Sequence, residues 1–208
     1  MVHSHTHHPS HDQPIHWARL YDMATGLRWR RGSRLRRMFA DDLELRVGDR
    51  VLDVGCGTGR LAMVLAARVA PGGSVDGIDA ATEMINLATS RARKNGLPAR
   101  FQIAFAQHLP FSDATFDAVA CTLVLHHVAE DDQQTAVEEM YRVLKPGGRL
   151  LIAEFRGGHA HRRLRWLRRS TDEDMIDKAL GLVTAAGFTH VAHAGTNLGW
   201  LGKITARK

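Results

Sequence analysis

The sequence predicts an α/β fold built on a doubly wound, mostly parallel sheet with helices on both faces and an N-terminal helical cap. Three observations carry this expectation. From Arg50 onward, short apolar runs alternate with helical patterns, and repeated β-α units imply parallel strands covered on both sides. The run Val51-Leu52-Asp53-Val54 passes straight into Gly55-Cys56-Gly57-Thr58-Gly59, with a glycine at every second position, before a helical pattern begins. Such a bend leaves the first N–H groups of the following helix facing whatever lies over it. Finally, Asp79 closes the next apolar run, at the place where doubly wound nucleotide sites hold a ribose by its two hydroxyls.

The elements follow in order. Strand one covers 50–54 and its helix about 58–69. Pro71-Gly72-Gly73 turns the chain into strand two, Ser74–Asp79, and a helix runs from about 82 to 95, where Asn95-Gly96-Leu97-Pro98 stops it. Strand three is expected at 99–105 and strand four at 115–121. A helix from about 131 ends before Lys145-Pro146-Gly147-Gly148, and strand five is 149–155. Ser170 or Thr171 is the expected cap of a helix reaching Ala186, with Glu173 and Asp174 in its first turn and Gly187 ending it. Two last strands, 188–194 and 200–206, flank a Gly-Thr-Asn turn.

Upstream, residues 1–16 carry six histidines among Ser, Thr, Pro and Asp and are expected to form a disordered tail. Their spacing fits no defined metal site. Residues 17–46 show two helical patterns, Trp17, Leu20, Tyr21, Ala24 and then Leu35, Met38, Phe39, Leu43, read as a cap on the main domain of 47–208. At 208 residues the chain suits one such domain. It shows no spanning apolar run and no secretory core, and its two cysteines lack metal spacing. A reduced, cytoplasmic setting is the simplest expectation.

The net charge of +6 is localised. Residues 28–37 and 156–169 each hold six arginines and no acid, which leaves 16 bases against 22 acids elsewhere. Two basic patches on an acidic body attract anionic surfaces such as phospholipid, so peripheral membrane contact through these stretches is expected. The absence of an RNA-binding motif and the scarcity of aromatics weigh against nucleic acid.

The spacing of the glycine bend excludes two common phosphate sites. Arg60 stands where G-x-G-x-x-G needs its third glycine, and no Gly-Lys-Ser/Thr follows. Val51 to Gly59 instead resembles the first motif of the S-adenosylmethionine-dependent methyltransferases of the doubly wound class. Gln107-His108-Leu109-Pro110-Phe111 with Thr115-Phe116-Asp117 is similar to the family's segment leading into strand four. Tyr141-Arg142-Val143-Leu144-Lys145-Pro146-Gly147-Gly148-Arg149-Leu150 looks very like the late motif of the ubiquinone/menaquinone-biosynthesis C-methyltransferase branch.

The resemblance covers about 50–155 and implies a sheet of order 3-2-1-4-5-7-6 with the last strand antiparallel. It implies S-adenosylmethionine as cofactor, at the carboxyl ends of strands one, two and four. Gly55, Gly57 and Thr58, with Asp53 and Cys56 in the same stretch, would line its methionine half. Asp79 and Ala80 would hold the ribose, Met84 would stand beside the adenine, and Phe105, Ala106 and Gln107 would edge it. Thr122 would contact the amino-acid end, and Tyr21 would close over the site.

Two departures bear on the acceptor. The quinone-methylating branch has Arg-Asn after strand four, where this chain has His126-His127, and only 156–170 remains of that branch's long insertion after strand five. A sulfonium methyl is already activated, so holding a nucleophile in line at about 3–3.5 Å supplies most of the acceleration. An acidic nucleophile also needs a base, and His126 or His127 at the carboxyl edge would serve. The expected activity is methyl transfer to a small or amphiphilic acceptor, lipid-soluble ones included. The alternatives are an RNA or protein methyltransferase held by the basic patches, and a non-catalytic cofactor-binding protein. Oligomeric state has no sequence signal here.

Overall fold

The computed structural model describes residues 29–156 and 174–208. The His-rich tail, Tyr21 and residues 157–169 of the second arginine stretch lie outside the described residues.

The described residues begin with α1 (Trp29–Asp42) and then alternate: β1 (Arg50–Val54), α2 (Arg60–Val69), β2 (Ser74–Asp79), α3 (Thr82–Asn95) and β3 (Ala99–Ile103). β4 (Phe116–Thr122) leads through two short 3-10 turns, Leu125–His127 and Glu130–Asp132, into α4 (Gln133–Val143). β5 (Leu144–Phe155), α5 (Met175–Ala185), β6 (Thr189–Gly195) and β7 (Leu201–Arg207) complete it. The strands form one sheet in the order β3-β2-β1-β4-β5-β7-β6. β1 to β5 pair in parallel, and β7 runs antiparallel to both β5 and β6. This is the expected fold class and strand order.

Strand pleating sends successive side chains to opposite faces, and each face has its own core. Leu52, Val54, Val119, Cys121, Leu150 and Ile152 gather with α4 and α5 residues such as Met140 and Val183. Val51, Ala118, Ala120, Leu151 and Ala153 gather with Leu65 and Val69 of α2 and Phe39 of α1. Polar side chains in the central strands sit mostly at their ends, and Asp53 of β1 and Glu154 of β5 are the ones buried to 1% or less.

Some boundaries differ from expectation. The Trp17, Leu20, Tyr21, Ala24 pattern lies outside the described residues, while α1 starts at Trp29 and takes in the arginine-rich stretch, because its burial-driving residues, Phe39 and Ala40, lie in its last turn and arginine is itself a good helix former. α5 starts at Met175, and its cap is Asp174, whose carboxylate accepts the Ile176 N–H at 3.2 Å. Asp174 thus takes the role expected of Ser170 or Thr171. β5 begins at Leu144, with a register irregularity between Phe116 and Ala118 absorbing the Pro-Gly-Gly segment. β3 ends at Ile103, since Phe105 bridges back to His108 instead of continuing the ladder.

The amino edge of the sheet is tied by Arg149, a nearly buried guanidinium. It donates to the Glu44 carbonyl at 2.6 Å, to Asp49 Oδ2 at 2.6 Å and to the Asp117 carbonyl at 3.2 Å. One side chain thereby joins the α1–β1 loop to the starts of β4 and β5. Removing one partner of a buried ion pair strands the other, so Arg149→Met is expected to destabilise the protein by about 3 kcal/mol in urea denaturation.

Candidate active site

The site is built at the carboxyl edge, where β1, β2, β3, β4 and β5 all end. The bend after β1 is fixed from both sides. Cys56 N–H donates to the Ile78 carbonyl at 2.8 Å, and Gly57 N–H donates to Asp79 Oδ2 at 2.9 Å. On the other flank Val124, just past β4, lies against Gly55, whose φ is +66° and where an added Cβ would strike the valine methyls. Gly57 is the opposite case, with nothing within 4 Å of the place a Cβ would occupy. The bend is thus closed underneath and open above. Thr58 is buried, and its carbonyl accepts a hydrogen bond from Arg91 of α3.

Asp53 lies beneath this bend, 1% exposed, and neither carboxylate oxygen has a hydrogen-bond partner. Burial pushes its pKa up to about 7; the Ala62 backbone N–H opposes this, and the Asp79 charge adds to it. A buried carboxylate that titrates near neutrality, with the Ala62 N–H nearby but no hydrogen bond made to either oxygen, is short of donors and can receive a cation.

Asp79 ends β2 half-buried. Its Oδ1 accepts the Ala81 N–H at 2.9 Å, and Oδ2 is the acceptor for Gly57. Burial raises its pKa, while these two N–H groups lower it. Each carboxylate oxygen keeps a lone pair for a further donor. Ala80 is exposed, and Met84 is buried with Ala81 one turn into α3. The Asp79 carbonyl accepts from Ala104, bringing the β3 tip alongside. There Phe105 is 42% exposed, Ala106 is buried and Gln107 is half-buried. A large aromatic face left open beside the Asp79 tip is a surface on which a flat ring can rest. The sequence-predicted residues of β1, β2 and β3 therefore converge. Tyr21 lies outside the described residues, and Thr122 stands half-buried at the end of β4.

Beyond Thr122 the chain makes a sharp turn. Leu123 has φ +59°, a left-handed conformation that is costly for a leucine, and its N–H donates to the Ala153 carbonyl at 2.8 Å. The next turn carries both histidines. Gln133 Nε2 donates to the carbonyls of Leu125 (2.9 Å) and Val128 (3.1 Å). Glu154 Oε1 accepts the Leu125 N–H at 2.8 Å, and Glu154 Oε2 lies 2.9 Å from His126 Nδ1. His126 is nearly buried and packed between Phe155 and His127, ring centroids 4.9 and 4.0 Å away. His127 is exposed. The two histidines, equivalent on paper, are thus different groups. Glu154 was missed by sequence reasoning; its one signal was an acid closing the apolar run Leu150-Leu151-Ile152-Ala153.

Both thiols are inert. Burial pushes the Cys56 and Cys121 pKa values far up, and neighbouring carboxylates push them further. Among the described residues no group of three or more His, Cys, Asp or Glu could hold a metal ion.

Residues 51–148 match the model of a methyltransferase domain. A demethylmenaquinone methyltransferase of Thermus thermophilus is 44% identical over 138 residues, which are 66% of this chain and 58% of the relative. The chain spans about half the length of the curated relatives it matches. A solved S-adenosylmethionine-dependent methyltransferase from Aquifex aeolicus is 23% identical, with a TM-score of 0.70 over 83% of this chain and 88% of that one, a likeness of fold. A [4+2]-cyclase, SpnF, is 26% identical with a TM-score of 0.71, over 84% and 80% of the two chains.

The residues present fit S-adenosylmethionine. The cofactor's ammonium and sulfonium are cations, Asp53 is a buried carboxylate with no partner, and Gly57 leaves the bend open.

The pH dependence of stability follows from Asp53. Its folded pKa is about 7 against 3.8 ordinarily, so the folded protein holds this proton more tightly than the unfolded chain. The resulting penalty is absent below about pH 4 and grows as pH rises to about 7, reaching on the order of 4 kcal/mol above it. Asp53→Asn is expected to raise the melting temperature of the cofactor-free protein at pH 8, with a clearly smaller gain at pH 5, as read by thermal melts.

Proposed function

We propose that the chain is an S-adenosylmethionine-dependent methyltransferase acting on a small or amphiphilic acceptor, with a lipid-soluble quinol as the first choice. The observation that carries this is the open bend between two carboxylates, Asp53 unpartnered below and Asp79 half-satisfied beside it. Asp53 would neutralise the positive end of the cofactor's methionine half, with Gly55, Cys56, Gly57, Thr58 and Thr122 around it. Asp79 and Ala80 would take the ribose, with Met84, Phe105, Ala106 and Gln107 about the adenine. When bound, the cofactor supplies an electrophilic methyl group whose leaving group is a neutral thioether. The quinol choice is supported by the Thermus relative, a demethylmenaquinone methyltransferase.

Peripheral membrane contact from the cytoplasmic side belongs to the same proposal. Arg34 and Arg37 are exposed on α1, whose other side is packed through Phe39 and Ala40. A helix with this division can rest on anionic lipid. Among the described residues no helix is long and apolar enough to cross a membrane.

The likeness to a [4+2]-cyclase supports a second reading, in which the same fold performs no methyl transfer. Calorimetry with S-adenosylmethionine and its demethylated product tests the cofactor site. Two charge-assisted hydrogen bonds to a ribose imply that Asp79→Ala weakens binding by about 100-fold or more. Undiminished binding would remove Asp79 from the site.

A turnover screen against quinols, phenols, phospholipids and RNA, read by product mass, then separates the readings. A product heavier by one methyl is expected from a quinol. Cofactor binding with no methylated product from any class would favour the cyclase-like reading. Flotation with anionic vesicles is expected to carry the protein upward at low salt and to fail at high salt. Binding to RNA without vesicle binding would favour the nucleic-acid alternative.

A further inference from the structure

We propose that Glu154 and His126 form a proton-accepting pair, in which Glu154 positions the ring and His126 takes a hydroxyl proton from the acceptor. The inference rests on the methyltransferase reading and narrows its acceptor to aromatic or enolic hydroxyl compounds.

Glu154 is completely buried, and its oxygens meet the Leu125 N–H, the Phe155 N–H at 3.4 Å and His126 Nδ1. An ionised carboxylate only accepts, so Nδ1 carries the ring's proton and Nε2 keeps its lone pair. The ring is not free to turn away. Phe155 meets it edge-on at 64°, His127 covers another side, and Gln133 and Glu154 hold both backbone groups of Leu125 beside it. Placing a carboxylate at the end of an apolar strand is costly, and a neutral side chain could pin the same turn. What the carboxylate adds is a fixed tautomer and a counter-charge for an imidazolium. The pair stands on the same sheet edge as the bend: Val54 of β1 pairs with Cys121 of β4, and Cys121 pairs with Ile152 of β5, two residues before Glu154.

The proton step balances simply. The acceptor's O–H bond breaks, an N–H bond forms at His126 Nε2, and the electron pair stays on the acceptor oxygen. The product is a phenolate or enolate, nucleophilic at oxygen or at the adjacent ring carbon. The positive charge on His126 then faces Glu154.

The test uses the full chain with nitrogen-15-labelled histidine, the His126 signals being identified by their loss in His126→Asn. Wild type is expected in the Nδ1–H tautomer. In Glu154→Gln the amide oxygen can keep the Leu125 N–H, which turns the amide NH₂ toward Nδ1 and switches His126 to Nε2–H. With S-adenosylmethionine and 1,4-naphthohydroquinone as probe acceptor, kcat is then expected to fall by about 100-fold or more with little change in KM. Affinity for the demethylated cofactor should stay within about two-fold, since Glu154 holds only the histidine turn.

An Nε2–H tautomer in wild type, or an undiminished rate in folded Glu154→Gln, overturns the pair. If Glu154→Gln does not fold, the wild-type tautomer and the rate of His126→Asn decide it. Transfer to phosphoethanolamine instead of the hydroquinone, or to neither by a protein that binds cofactor, overturns the acceptor assignment. Failure of wild type to bind cofactor overturns the methyltransferase reading instead.

Discussion

The contact between the β1 bend and the tip of β2 holds the carboxyl edge together. Gly57 N–H reaches Asp79 and Cys56 N–H reaches the Ile78 carbonyl, so the bend hangs from β2 by two hydrogen bonds. Without them the loop would have buried main-chain donors and no partner, a cost comparable to a lost hydrogen bond for each. Their geometry requires a backbone that comes closer to its neighbours than side chains permit. That is why Gly55 sits against Val124, and why Gly77 of β2 lies where a Cβ would touch Phe101 at 2.5 Å. The glycine pattern is therefore a statement about packing first. The opening above Gly57 follows from it.

Three carboxylates at this edge differ only in their surroundings. Asp53 is buried with no donor, Asp79 is half-buried with two backbone donors, and Glu154 is buried with a histidine and a turn around it. Environment sets apart a carboxylate short of donors, one bonded to two backbone N–H groups and one paired with a ring. A fold that pins each acid on a different strand keeps these surroundings apart. At the far end Arg149 ties the starts of β4 and β5 to the loop that leads into β1.

Much of this was legible in the sequence because it is written locally. The alternation of apolar runs with helical periods placed β2 and α3 to the residue, and the acid after β2 was visible beside its strand. What was hidden depends on residues distant in sequence. Glu154 and His126 are separated by 28 positions and meet only after β4 and β5 pair. His126 and His127 are adjacent and chemically identical, so only the folded turn distinguishes the held ring from the exposed one. The start of α1 was obscured because arginines carry no periodic apolar signal. The cap of α5 was misplaced because several capping residues crowd 170–174, and packing against β5 and β7 selects among them.

The two halves of the carboxyl edge draw on different stretches of the chain. The open bend is made by residues between Asp53 and Gln107, whereas the histidine turn is braced by Gln133 and by Glu154, the latter beyond the 51–148 stretch that matches the methyltransferase-domain model. A substitution in the brace would retune one chamber and leave the other's shape intact. The face that meets the histidines can therefore be reshaped while the glycine bend keeps its form, because the two are braced by different residues.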